Sequence, residues 1–306
     1  MAAPKLVFTP ITLAEGIRGE VLTVCRRPRR GLPENLGTVE DWRPWLTQLV
    51  ADHSRLSGYA GLKYSRNAEV FRARFARQDN EPIDVVCRFN RIDGKGIPIF
   101  GQRSRSARNF GRGLRLLQTG IDTAMPLARL EHASGRGPSW WVTEYVADVI
   151  DLDQIVLMQL PQLDPRASHK VKADISNAIV ELFVRLDDAR LFHRDLKASN
   201  VLFINWDGQK GPPQPILVDL DGLHGRRWWN RRRRWQPLIR LAASLKDYSS
   251  LTRSDFARFL GQYLRRNGTP AMEWKARFRQ LAQDATEYAL SSQRRKRDKI
   301  DGFSGA

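Results

Sequence analysis

Apolar and polar positions alternate or recur along this chain in a way that separates it into two kinds of segment. Residues 69–75, Glu-Val-Phe-Arg-Ala-Arg-Phe, and 83–89, Ile-Asp-Val-Val-Cys-Arg-Phe, read as strands within a 62–92 region. Residues 140–146, Trp-Trp-Val-Thr-Glu-Tyr-Val, read as a further strand. A basic helix is expected over 103–119. Helices also fit 150–160 and 167–190, where Ile175, Ile179, Leu182, Phe183 and Leu186 keep helical spacing, and 236–246, 254–266 and 270–296. Ahead of the first strands, Thr38-Val39-Glu40-Asp41 forms a helix start before Trp42, Trp45, Leu46, Leu49 and Val50. Strands first and helices later predict an α+β plan. The expected division is a leader with a helix over 1–55, a small sheet-bearing part over 56–146, a mainly helical part over 147–290 and a basic, disordered tail over 291–306.

Between the strand-rich and helix-rich halves lies the stretch that carries chemistry. Residues 191–205 read Leu-Phe-His-Arg-Asp-Leu-Lys-Ala-Ser-Asn-Val-Leu-Phe-Ile-Asn. A short apolar run passes through a Gly/Pro-rich turn, Asp207 to Pro213, into Ile216-Leu217-Val218-Asp219-Leu220-Asp221-Gly222. The order of a base, an amide, a hairpin and an acid is the catalytic half of a protein-kinase-like fold. That fold is bilobal, with a small antiparallel-sheet N-lobe and a mainly helical C-lobe. Phosphoryl transfer asks the protein chiefly for positioning and charge neutralisation. Asp195 would accept the proton of an acceptor hydroxyl, and Lys197 would offset charge on the transferred group. Asn200 and Asp219 would hold Mg²⁺, a hard cation that prefers oxygen ligands. Asp221 is the alternative to Asp219, which follows the apolar strand directly. His193 and Arg194 read as braces of the loop.

The nucleotide side is less regular. A kinase of this type carries a Lys on its third strand; here Val85-Val86-Cys87-Arg88-Phe89 offers either Cys87 or Arg88, on opposite faces of the strand. The helix Glu that would pair with that Lys is also missing, Asn109 standing nearest its place. Lys63 to Ala68 is the candidate turn over the nucleotide. Glu144, Tyr145 and Val146 would supply backbone contacts to adenine, with Leu202 beneath it; all four also suit an ordinary core and hinge.

Composition narrows the setting. The 306 residues are 42% hydrophobic, enough for a sizeable core. No apolar run approaches the roughly twenty residues of a membrane helix, and the N-terminus lacks a signal-peptide apolar region. Two cysteines, Cys25 and Cys87, and five scattered histidines argue against a disulfide framework and a zinc site. The net charge of +18 attracts polyanions. Its densest cluster runs from Arg226 to Trp235. Tryptophan beside arginine suits an anionic membrane or glycolipid surface; nucleic acid is the weaker candidate, and a solvated helix face is the plain alternative.

Taken together, these motifs are similar to the lipopolysaccharide kinase family, the Kdo/heptose kinases of bacterial outer-membrane glycolipid assembly. The likeness rests on His193–Asn200, on Leu217–Asp221, on Ser106–Phe110 leading into Leu116–Ala128, and on Leu238–Leu245 with Asp255–Tyr263 behind it, and it covers about residues 60–266. The resemblance implies ATP- and Mg²⁺-dependent phosphorylation of a sugar hydroxyl on the lipopolysaccharide inner core. It also implies a cytoplasmic protein working at the cytoplasmic face of the inner membrane. Two other readings stay open: a pseudokinase or basic scaffold on membrane or nucleic acid, and a small-molecule kinase of the aminoglycoside or choline type.

Overall fold

The computed structural model describes residues 5–26, 32–77, 80–93, 104–135, 137–225 and 231–301. The chain forms two compact units, residues 1–147 and 148–306.

The first unit is built on a seven-stranded antiparallel sheet. Its strands are β1 (Lys5–Thr12), β2 (Ile17–Arg26), β3 (Ala60–Tyr64), β4 (Ala68–Arg77), β5 (Asn80–Asp93), β6 (Pro126–His132) and β7 (Gly137–Glu144), in the order β1-β2-β6-β7-β5-β4-β3. The stretch expected to be a leader is therefore part of the sheet. Glu15 and Gly16, both at positive φ (58° and 71°), turn β1 back onto β2. Two positive-φ residues match the right-handed twist of a hairpin, and glycine takes that conformation without steric cost. Ile17, Val21, Leu22 and Cys25 of β2 are buried, the adjacent Val21 and Leu22 placing apolar side chains on both faces of the strand.

Helix α1 (Val39–Asp52) starts where the sequence placed it. Thr38 and Asp41 form a capping box, with the Thr38 amide donating to Asp41 Oδ2 at 2.7 Å. Its Trp42, Leu46 and Leu49 are fully buried, and the Trp42 ring stacks on Phe75 of β4 with centroids 3.8 Å apart. Truncating a tryptophan so placed costs on the order of 3–5 kcal/mol, so α1 belongs to the core of this unit. Helix α2 (Arg105–Gln118) is capped by Ser104, whose Oγ accepts from the Ala107 amide.

In the second unit, the helix expected over 150–160 is present from Leu152 to Gln162, its winding changing from α to π to 3₁₀ along the way. Ile150–Asp151 form a short strand, β8, Asp151 caps the α-helical start α3 (Leu152–Gln154), and the wider π winding over Ile155–Gln159 precedes Pro161. Helix α4 (Pro165–Asp188) has Asp164 as its N-cap and buries Ile175, Ile179, Leu182, Phe183 and Leu186, the positions whose spacing predicted it. The short strands β9 (Leu191–His193), β10 (Val201–Ile204), β11 (Gln214–Leu217) and β12 (Leu223–Gly225) follow. They pair as β11-β10-β8 and β12-β9.

Helices α5 (Arg231–Leu245), α6 (Arg253–Arg266) and α7 (Trp274–Asp301) complete the unit. The segment expected to be a disordered tail from 291 is helical as far as Asp301. No Gly or Pro interrupts it before Gly302, and its Gln, Arg and Lys residues are good helix formers. Among the described residues no helix is long and apolar enough to cross a membrane.

Candidate active site

The H-R-D-L-K-A-S-N loop is held from three directions. On one side, His193 is fully buried and its Nε2 lies 2.9 Å from the carbonyl oxygen of Asp219. A carbonyl only accepts, so Nε2 carries the proton. On a second side, the Arg194 amide donates to Gly222 O at 2.7 Å. A third support comes from α5, where Ser244 Oγ accepts from the Ala198 amide at 3.0 Å. The loop ends in a single 3₁₀ turn, Ala198–Asn200, before entering β10.

Asp195 projects from this frame with its side chain half exposed. Its Oδ1 accepts from Arg240 Nη1 of α5 at 2.5 Å. Its backbone oxygen accepts from Asn200 Nδ2 at 2.9 Å. That bond occupies one amide hydrogen of the buried Asn200, and among the described residues no hydrogen bond reaches its Oδ1. The hairpin brings the acid to the same end of the sheet. Val201 pairs with Leu217, and the Val218 amide donates to Asn200 O at 3.0 Å. Asp219 follows at φ 55°, ψ 59°, in the left-handed region. Asp is one of the few non-glycine residues that visits this region readily. Lys197, two residues after Asp195, is exposed. Asp221 lies within the next 3₁₀ turn, Leu220–Gly222. Among the described residues no set of three or more His, Cys, Asp or Glu side chains is placed for a metal ion. The metal reading therefore rests on the mixed oxygen pair Asn200 and Asp219.

The first-unit residues expected to meet the nucleotide sort differently. Cys87 is fully buried in the apolar core with Val85, Phe71 and Trp42, where burial pushes its thiol pKa well up. A neutral thiol in that place cannot meet a phosphate, so Cys87 is withdrawn as a ligand. Its neighbour Arg88 points to the other face, the one on which Asn90 Nδ2 donates to Ser106 Oγ of α2 at 3.0 Å. Asn109, in place of the expected Glu, is buried on α2 and accepts from Arg112 at 3.0 Å.

Glu144 is also occupied structurally. Its carboxylate accepts from the Met125 amide at 3.0 Å, and its own amide donates back to Met125 O at 2.9 Å. The Tyr145 amide donates to Asp84 O, and Arg72 lies 4.2 Å over the Tyr145 ring. Both amides are thus bonded within the protein, and the neighbouring Val146 is half-buried. Leu202 is half-buried on β10, opposite Asp151 and Ile216.

The Lys63–Ala68 turn joins β3 to β4 and is closed by Ser65, whose amide and hydroxyl both donate to Ala68 O. Below it, buried Glu69 accepts from Tyr59 at 2.7 Å and lies 3.2 Å from His53 Nε2. Hydrogen bonds to Tyr64 and Glu69 hold the Tyr59 hydroxyl protonated far above its usual range. Residues 226–230 of the Arg/Trp cluster lie outside the described residues. Trp235, at its end, has the Arg277 guanidinium 5.9 Å from its ring.

A base-bearing loop, an amide and an acid on one hairpin, and an antiparallel sheet with α2 against it define a kinase-like protein. A solved structure of WaaP in complex with acyl carrier protein shares the fold, with a TM-score of 0.53 at 20% identity over 85% of this chain and 93% of that one. The family model for the lipopolysaccharide kinase (Kdo/WaaP) family matches residues 100–263, and the chain belongs to that family. Comparison with curated proteins gives no match. Family membership supports ATP-dependent phosphotransferase activity towards the lipopolysaccharide core. The sequence reading missed Arg240 and Ser244. Only their spacing of four, which puts both on one face of α5, could have paired them.

Proposed function

We propose that this protein transfers the γ-phosphoryl group of ATP to a hydroxyl of an inner-core sugar, Kdo or heptose, of lipopolysaccharide. The observation that carries this reading is the half-exposed Asp195 carboxylate, anchored through Oδ1 and with no bond to Oδ2 among the described residues. Oδ2 takes the proton as the sugar oxygen forms its bond to phosphorus and the bridging P–O bond to ADP breaks. Lys197 offsets charge on the phosphoryl oxygens. Asn200 Oδ1 and the Asp219 carboxylate form a hard oxygen pair that fits Mg²⁺, which when bound neutralises charge on the polyphosphate. Arg88 is the phosphate cation in place of a lysine, offering planar, two-pronged donation rather than a point charge. The Arg226–Trp235 cluster would meet anionic lipid at the cytoplasmic face of the inner membrane.

A pseudokinase is the second reading. It is favoured by the loss of both the strand lysine and the helix acid, which leaves no half of that ion pair behind. Two measurements separate the readings. ATP with Mg²⁺ should raise the melting temperature of the purified protein, and Asp219→Ala should abolish the rise. Radiolabel from γ-labelled ATP should pass to dephosphorylated lipopolysaccharide core. In that assay Asp195→Asn should lower turnover by about a hundred- to ten-thousand-fold, as loss of a general base does. Nucleotide binding without transfer to any core acceptor, nor to an aminoglycoside or choline, would favour the pseudokinase.

A further inference from the structure

We propose that Arg240 is a positioning residue for Asp195, and that the C-terminal helix α7, through Tyr288, holds Arg240 in place. The inference rests on the assignment of Asp195 as the base and extends it to a residue 45 positions away. An aspartate on an exposed loop can turn about its last side-chain bond, and its two oxygens are then equivalent. Here they are not. Arg240 Nη1 holds Oδ1 at 2.5 Å, which fixes the carboxylate plane and leaves Oδ2 for the acceptor proton. The clamp is the more buried partner, its side chain 19% exposed against 51% for Asp195.

Two features show that the clamp is built in. Arg240 and Ser244 lie one helical turn apart on α5, and both reach the catalytic loop, one at the Asp195 carboxylate and one at the Ala198 amide. The Arg240 guanidinium carbon also sits 4.4 Å from the centre of the Tyr288 ring. Carboxylate at one end and aromatic face against its plane leave the guanidinium one orientation. Arg240 Nε is buried and has no hydrogen-bond partner among the described residues, so these two contacts orient it. A surface ion pair free to break would contribute little; a half-buried one backed by a ring can set geometry.

The test compares wild type with Arg240→Ala, Arg240→Lys, Tyr288→Leu and Asp195→Asn in phosphate transfer to dephosphorylated lipopolysaccharide core. Melting temperature is followed in parallel. Arg240→Ala should lose about ten- to a hundredfold in kcat, the scale of a misplaced catalytic group, with KM for ATP unchanged. Added guanidinium ion at non-denaturing concentration should restore part of that loss in Arg240→Ala and none in Asp195→Asn. Arg240→Lys and Tyr288→Leu should fall between wild type and Arg240→Ala. A kcat that is unchanged or raised in Arg240→Ala, or a loss that guanidinium fails to rescue in a folded variant, overturns the inference. Full activity of Asp195→Asn would instead remove the base assignment itself.

Discussion

The buried ring of His193 donates through Nε2 to the carbonyl oxygen of Asp219, 2.9 Å away, and ties the catalytic loop to the acidic turn. The bond explains why a histidine stands ahead of Arg194 and Asp195 without touching a substrate. It secures the backbone of a residue held at positive φ, a conformation that needs support from its surroundings. His193→Phe keeps the ring volume and removes the donor. It should cost about 1–3 kcal/mol of stability, the penalty of an unpaired buried acceptor, and lower the effect of Mg²⁺ on ATP binding. Urea unfolding and nucleotide titration check both.

Gly222 sits against the same ring. A Cβ there would lie 2.8 Å from His193 Cε1 and 3.1 Å from the Asp195 amide nitrogen. Neither neighbour is the loose end of a flexible chain. Gly222→Ala should therefore shift the loop, costing about 1–3 kcal/mol in stability as an overpacked site does. Its kcat should drop by more than its KM rises. An alanine variant as stable and active as wild type would show the loop to be more yielding than its bonds suggest.

The two faces of β5 should respond differently to substitution. Cys87→Ala leaves a small void in the apolar core and should leave KM for ATP unchanged. Arg88→Ala should raise that KM by about tenfold or more, as loss of a charged hydrogen bond does. Both cysteines are buried, so Ellman's reagent should titrate them only as the protein unfolds. Reaction of Cys87 in the native protein would contradict its place in the core.

Asp255 offers a pH test away from the site. Burial opposes its ionisation, but bonds from the Thr252 backbone and hydroxyl, together with Lys172 of α4, outweigh this and lower its pKa. A folded-state pKa below the unfolded one, about 3.9, contributes stability above that value and loses it as pH falls through the folded value. Asp255→Asn should thus be less stable than wild type by about 1–2 kcal/mol at neutral pH, the scale of a lost helix cap. The gap should narrow only in acid, below about pH 4. A gap that stays constant into acid would rule out the carboxylate as its cause.

What the sequence revealed depended on how local the signal was. The catalytic loop was legible because its base, cation and amide lie within six residues, 195 to 200. Helix α4 was legible because its buried positions repeat at the helical period. The β1–β2 hairpin was not: its apolar residues alternate only in part, and its Glu-Gly turn is not among the strong hairpin signals. Cys87 and Arg88 could not be separated until the sheet fixed which face packs on α1. The Arg240 contact was invisible, since a bond across 45 residues leaves no periodic trace.

The hairpin at the start of the chain has a practical corollary for dissection. The family-matched stretch, residues 100–263, contains only β6 and β7 of the seven-stranded sheet. Cut out at those limits, the two strands would lose β2 from one side and β5 from the other, and α7 would be gone. Two bare ladder edges beside exposed leucines and tryptophans are a template for association between copies. The family-matched segment is thus not an autonomous folding unit, and such a fragment should be recovered as aggregate whatever its catalytic loop contains.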